Sequence, residues 1–112
     1  MSKIVIGIDP DSKAHGVAVY YNRKLHNLSS MNLMDIYNYI DLELISLCLN
    51  NNADVEVHIE DVCATSAAFN ARDKKTNINV KLKMAQHIGM CKQSQVELER
   101  LFEYFKIKVV KH

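Results

Sequence analysis

A short, uninterrupted apolar segment near the start of the chain limits the possible folds more than any other feature. Residues 4–8 read Ile-Val-Ile-Gly-Ile, and the turn-forming sequence Asp-Pro-Asp-Ser follows at residues 9–12. An apolar run of this length, rich in β-branched residues and bounded by turn signals, is typical of a buried strand. The sequence therefore predicts a buried first strand over residues 3–9.

The patterns that follow predict four more strands and two helices. Strand propensity and a turn at residues 22–24 predict an antiparallel meander of three strands. Apolar residues spaced three and four apart then predict amphipathic helices, and alternation of Val55, Val57 and Ile59 with polar residues predicts a fourth strand. The predicted elements are strands at 16–21, 25–31, 55–60 and 107–110, and helices at 32–50 and 78–105, with a loop at 63–77 and a bend near Gly89. This order predicts an α/β fold, a mixed five-stranded sheet with helices packed on it.

Length and cysteine content exclude several classes of protein. The chain has 112 residues, 48% of them hydrophobic, which is typical of one globular domain and too short for a large multidomain enzyme. Its three cysteines are odd in number and form no Cys-x-x-Cys pair, which favours reduced thiols and a cytoplasmic location over a secreted disulfide framework. No segment approaches the roughly 20 apolar residues of a membrane helix.

Charge is distributed unevenly along the chain. Residues 1–71 contain four Lys and Arg against nine Asp and Glu, whereas residues 72–112 contain ten against four. This asymmetry indicates an acidic site beside a basic surface that would suit an anionic partner such as nucleic acid. Simple solvation of a lysine-rich helix explains the second half equally well.

Two acidic residues occupy equivalent positions at strand ends. Asp9 ends the first predicted strand and Glu60 ends the fourth. If these strands are parallel, both carboxylates emerge at one edge of the sheet, where ligands of α/β proteins bind. Paired carboxylates suit a hard divalent cation such as Mg²⁺, which nucleases use to polarise a phosphodiester. The alternative is that Asp9 only begins a turn with Pro10 and that Glu60 is solvated.

The segments around these acids resemble a known family. Residues 6–20, IGIDPDSKAHGVAVY, resemble the first motif of the RuvC-type Holliday-junction resolvases in the RNase H-like superfamily. Residues 57–62, VHIEDV, resemble the second acidic motif of that family, and residues 81–89, KLKMAQHIG, resemble the stretch that follows it. The resemblance extends over essentially the whole chain.

The resemblance implies a single RNase H-like domain over residues 1–112 and a two-metal mechanism. Asp9 and Glu60 would be the catalytic residues and would bind Mg²⁺ or Mn²⁺. The implied substrate is branched or structured DNA, as in the DNA recombination carried out by phage or prophage resolvases. The implied protein is cytoplasmic and acts as a homodimer, because resolvases of this type cut symmetrically.

Two positions depart from the family pattern. Asp11 stands where the family often has Gly, and the last acidic motif, a pair of Asp on a helix after strand five, has no counterpart before His112. We therefore expect a domain truncated after strand five that binds a divalent ion weakly and cuts a junction slowly or not at all. Asp61 could serve as a further ligand, but alternation along a strand predicts that it faces away from Glu60.

Basic residues in two regions are candidates for contacts to the nucleic-acid backbone. Lys13 and His15 lie in the first hairpin, near Asp9, and four further residues flank the start of the long helix. The predicted nucleic-acid-binding residues are Lys13, Arg72, Lys74, Lys75 and Lys81.

Two other functions fit parts of the sequence. Without the last acidic pair, the domain could bind nucleic acid and not cut it. The first hairpin is also similar to that of actin-like ATPases, but those enzymes need a second domain for the adenosine, which 112 residues cannot supply.

Overall fold

The computed structural model describes residues 2–63 and 78–112, which contain one five-stranded sheet and helices that pack on it. The strands are β1 (Ser2–Asp9), β2 (His15–Tyr21), β3 (Lys24–Met31), β4 (Ala53–Ile59) and β5 (Lys108–Lys111). The helices are α1 (Leu33–Tyr39), a π-helical segment (Ile40–Leu44), α2 (Ile45–Asn51) and α3 (Ile78–Tyr104). The predicted loop at 63–77 lies outside the described residues beyond Cys63.

The sheet has β1 at its centre. The strand order is β3-β2-β1-β4-β5, with β1 antiparallel to β2 and β2 antiparallel to β3. On the other side, β4 is parallel to β1 and β5 is parallel to β4. This order and these directions confirm the predicted RNase H-like mixed sheet, in which a meander is extended by two parallel crossovers.

The core lies on one face of this sheet. Ile4, Ile6 and Ile8 of β1 are at most 4% exposed, whereas Val5 and Gly7 on the opposite face are half-buried. The strand predicted as buried is therefore fully covered on one face only. The side chains that complete the core are Val17, Val19, Ile36, Ile40, Leu44, Val57, Ile59, Leu98 and Phe102.

The first predicted helix is divided by a π-helical segment. It begins as predicted at Asn32, whose Oδ1 accepts a 2.8 Å hydrogen bond from the Asp35 N–H, while Asp35 Oδ2 accepts one from the Asn32 N–H. Ile36, Ile40 and Leu44 are all buried at spacings of four residues. Residues four apart are slightly more than one α-helical turn of 3.6 residues apart, so their side chains drift around the helix. The π-helical turn contains more residues and offsets this drift, so that all three side chains face the sheet.

The long helix α3 runs without interruption from Ile78 to Tyr104 and continues through Gly89, where a bend was predicted. A Cβ added at Gly89 would meet nothing within 4 Å, so this glycine is not required by close packing. Among the described residues, no helix combines the length and apolar composition needed to cross a bilayer.

An ionic cluster lies on the face of the sheet opposite the core, and it is expected to make the stability of the fold depend on pH. Glu56 Oε1 lies 2.6 Å from His58 Nε2, and Glu56 Oε2 lies 3.6 Å from Lys3 Nζ and 3.9 Å from Lys108 Nζ. The hydrogen bond from His58, followed by the two lysines, lowers the pKa of Glu56. A carboxyl group with a lowered folded-state pKa stabilises the fold above its unfolded-state pKa of about 4.3 and loses this effect in acid.

Glu56→Gln is therefore expected to reduce the free energy of unfolding near neutral pH and to have a smaller effect in acid, where wild-type Glu56 is itself protonated. Urea unfolding of both proteins at several pH values measures this difference. Glu97→Gln serves as the control, because it removes the same charge at an exposed position of α3. A Glu56→Gln effect that is the same at every pH would contradict the assignment.

Candidate functional site

Asp9 and Glu60 lie at the same edge of the sheet. Ile8 of β1 and Ile59 of β4 are partners in the parallel pairing, and the Glu60 N–H donates a 3.1 Å hydrogen bond to the Ile8 carbonyl. Asp9 and Glu60 are thus the next residues on two neighbouring parallel strands, and both side chains are exposed. The parallel direction of β4, on which the sequence prediction depended, brings the two carboxylates together.

The Asp9 side chain influences the ionisation of Glu60. A side-chain hydrogen bond with Asp9 raises the pKa of Glu60, and the negative charge of Asp9 raises it further. Neighbouring carboxylates repel each other when both are ionised, which disfavours the ionised form of Glu60 relative to an isolated carboxyl group. A divalent cation would relieve the same repulsion, and exposed carboxylate oxygens are the hard ligands that Mg²⁺ and Mn²⁺ prefer. The donor set therefore fits such an ion.

The turn after β1 is organised by His15. This side chain is 4% exposed, and its Nδ1 accepts a 3.1 Å hydrogen bond from the Asp11 N–H. Burial lowers the pKa of His15, although the charges of Asp11 and Asp9 oppose that effect. A buried imidazole that accepts from the backbone shapes the turn, and it is not available as the exposed phosphate contact considered from the sequence.

The structure places two of the five predicted DNA-contacting residues. Lys13 is exposed and lines a cleft of about 270 Å³ together with Ser12, Asn32, Ser94 and Glu97. Lys81 lies in the first turn of α3. Arg72, Lys74 and Lys75 lie outside the described residues. Contact with DNA stays a prediction for all five basic residues.

A buried glutamine that the sequence did not single out holds the segment after β4 against α3. Gln95 is fully buried; its Oε1 accepts a 3.0 Å hydrogen bond from the Cys63 N–H, and its Nε2 donates one of 3.0 Å to Asp61 Oδ1. Asp61 therefore contacts α3, whereas Glu60 lies beside Asp9 at the sheet edge. The signal for Gln95 was its spacing, because Gln95, Leu98 and Phe102 share one helix face.

Gln95→Leu is expected to lower the free energy of unfolding by about 1–3 kcal/mol, because it removes the hydrogen bonds that the buried Gln95 amide makes with the Cys63 N–H and the Asp61 carboxylate. Gln93→Leu changes an exposed glutamine of the same helix and should have little effect. Urea unfolding of the three proteins gives the difference. Equal stability of the two variants would show that the buried hydrogen bonds contribute nothing.

Two more side chains of α3 reach the turn after β1. His87 and Cys91 lie one helical turn apart, and their ligand atoms are within 4.8 Å of each other and of an Asp11 carboxylate oxygen. Neither residue is among the site residues predicted from the sequence. Their spacing of four residues on a predicted helix was the available signal.

Comparisons with known proteins give one structural likeness. No protein-family model matches the sequence, and no curated protein matches it. Among solved structures, T. thermophilus RuvC in complex with Holliday junction substrate matches with a TM-score of 0.46 and 13% sequence identity. The match covers 97% of this chain, which spans 62% of the length of the RuvC chain. The strand order and strand directions of the sheet are themselves those of the predicted RNase H-like arrangement.

Proposed function

We propose that this chain is a RuvC-like, metal-dependent endonuclease that acts on branched or structured DNA. The observation that carries the proposal is the placement of Asp9 and Glu60 side by side at the ends of adjacent parallel strands. The motif resemblance around both residues supports the same conclusion. It comes from the residues themselves, independently of the strand pairing.

Asp9 and Glu60 would hold Mg²⁺ or Mn²⁺. When bound, such ions polarise the phosphodiester and lower the pKa of the attacking water. The contribution of the protein is to keep two carboxylates at one exposed edge, fixed by backbone hydrogen bonds of the central strands. Because carboxylate ligands bind a metal in their ionised form, binding of the cation would be weaker in acid.

The proposed DNA contacts use the basic half of the chain. Lys13 would contact a phosphate beside the acidic pair, and Arg72, Lys74, Lys75 and Lys81 would follow the backbone beyond it. A homodimer would present two such sites, one to each of two strands of a four-way junction. The proposed protein is a soluble cytoplasmic recombination enzyme.

The direct test is cleavage of a synthetic four-way junction, with a linear duplex of the same sequence as the control substrate. We expect slow cleavage that requires Mg²⁺ or Mn²⁺, stops with a chelator, and favours the junction. Slow turnover follows because two carboxylates are few for holding two ions against their mutual repulsion. Junction binding without any cleavage would contradict the catalytic part and favour a non-catalytic DNA-binding module.

Salt dependence tests the proposed DNA surface. For duplex DNA, log K falls with log salt at a slope of about −0.9 for each phosphate neutralised. Replacing Lys74, Lys75 and Lys81 by Ala is expected to reduce that slope by roughly two to three, as measured by fluorescence anisotropy with a labelled junction. Lys24→Ala in the β2–β3 hairpin controls for a general loss of positive charge. An unchanged slope in the triple variant would reject this surface.

A further inference from the structure

A second group of ligand-type side chains lies beside the acidic pair and is chemically different from it. Asp11 follows β1 by two residues, and His87 and Cys91 approach it from α3. Cys91 Sγ lies 3.6 Å from His87 Nε2, and the same nitrogen lies 4.0 Å from Asp11 Oδ1. One carboxylate, one imidazole and one thiol therefore converge from two separate elements of the fold.

The geometry does not match a Cys-His-Asp catalytic relay. In a relay the imidazole contacts the nucleophile through one ring nitrogen and the carboxylate through the other. Here a single nitrogen, Nε2 of His87, faces both Cys91 and Asp11. Burial and the neighbouring charges of Asp11 and Asp9 also raise the pKa of the Cys91 thiol, the reverse of what an activated nucleophile needs.

Short distances from one nitrogen to both other ligand atoms are expected when all three atoms surround one metal ion. Zinc bonds of about 2.3 Å to sulfur and about 2.0–2.2 Å to nitrogen and oxygen place tetrahedral ligand atoms roughly 3.3–3.6 Å apart. The Cys91–His87 separation of 3.6 Å already has this value. The Asp11–His87 separation of 4.0 Å needs a small rotation, for which the 58% and 61% exposed side chains have room.

The chemistry of the donors selects the metal. A thiolate and an imidazole favour borderline-soft ions such as Zn²⁺ over Mg²⁺. A thiolate and a carboxylate together carry two negative charges, which balance a divalent ion. Asp11 Oδ1 also accepts a 2.6 Å hydrogen bond from the Ser12 N–H, which holds the carboxylate in place as outer contacts do in zinc sites.

The surrounding structure indicates a structural role for the ion. The first half of α3, residues 78–90, has no buried side chain among those described, and its exposed apolar residues include Ile78, Leu82 and Met90. Packing therefore holds this part of the helix weakly, whereas Leu98 and Phe102 anchor the second half in the core. A metal shared by Asp11, His87 and Cys91 would attach α3 to the turn that follows Asp9.

We propose that Asp11, His87 and Cys91 form a Zn²⁺ site that fastens α3 to the β1–β2 turn, with a fourth position open to water. The site is separate from the Asp9–Glu60 pair and does not depend on the nuclease proposal. It binds a different class of metal through different residues.

Co²⁺ is the probe, because it occupies zinc sites and gives a thiolate-to-metal absorption band when sulfur is a ligand. We expect one equivalent of Co²⁺ to produce this band and Zn²⁺ to displace it. Cys91→Ser should abolish the band, and His87→Ala should weaken Co²⁺ binding at least about tenfold, since even outer contacts of metal sites contribute that much. Asp9→Asn should leave the band unchanged.

Cys63→Ser is the matched control, since Cys63 is another free thiol beside α3. Circular dichroism of the metal-free variants checks that each one folds. Amide hydrogen exchange provides a second measurement: Zn²⁺ should slow exchange in residues 85–91 of wild type and not of Cys91→Ser. Absence of the band in folded wild type, or a band lost in Cys63→Ser and kept in Cys91→Ser, would overturn the proposal.

Discussion

Asp9→Asn and Glu60→Gln are each expected to lower metal-dependent cleavage of a four-way junction by about 10²–10³-fold. The reason is that metal coordination supplies several kcal/mol of transition-state stabilisation, and each 1.4 kcal/mol corresponds to about tenfold in rate. Both variants should also weaken Mn²⁺ binding, which titration calorimetry measures without any substrate. The rates are compared in single-turnover conditions at saturating metal and at low metal.

Asp61→Asn is the matched control for these two variants. It removes the same charge one residue after Glu60, but the Asp61 side chain accepts its hydrogen bond from Gln95 on α3. We expect junction cleavage and Mn²⁺ binding close to those of wild type. Cleavage that is unaffected by Asp9→Asn and Glu60→Gln would remove the site assignment, and cleavage lost in Asp61→Asn would identify a third ligand.

Phe102→Ala is expected to give the largest loss of stability, about 3–5 kcal/mol. Phe102 is fully buried between α3 and the sheet, so truncation removes its buried apolar area and leaves a cavity. A loss of this size is a large part of the roughly 5–15 kcal/mol that stabilises a typical domain. Urea unfolding followed by circular dichroism measures it.

Tyr104→Ala provides the comparison two residues further along the same helix. Tyr104 is 72% exposed, and its ring makes an edge contact with Phe105 at 5.1 Å between centroids. Tyr104→Ala should lower the free energy of unfolding by about 0.5 kcal/mol or less, the usual range for surface substitutions. Similar losses for the two variants would mean that the second half of α3 does not anchor the helix through Phe102.

The sequence by itself determined the elements and their order. The apolar run at residues 4–8 predicted β1, and apolar residues spaced three and four apart predicted the helix that begins near residue 32, because both patterns depend on residues close in the chain. The motif around Asp9 and the position of Glu60 at a strand end were equally readable. The proposed role of these two acids in catalysis follows from the same residues.

Only the tertiary structure decided how distant elements meet. The parallel pairing of β4 with β1 places Glu60 beside Asp9, and Asp9 raises the pKa of Glu60. From the sequence, this arrangement followed only if the two strands were parallel. The angle and position of α3 place Gln95 in the core and bring His87 and Cys91 to Asp11. These contacts join residues more than 30 positions apart, except for the His87–Cys91 pair. Periodicity describes which face of an element is buried, whereas the partner of a polar side chain on that face is fixed by packing between elements.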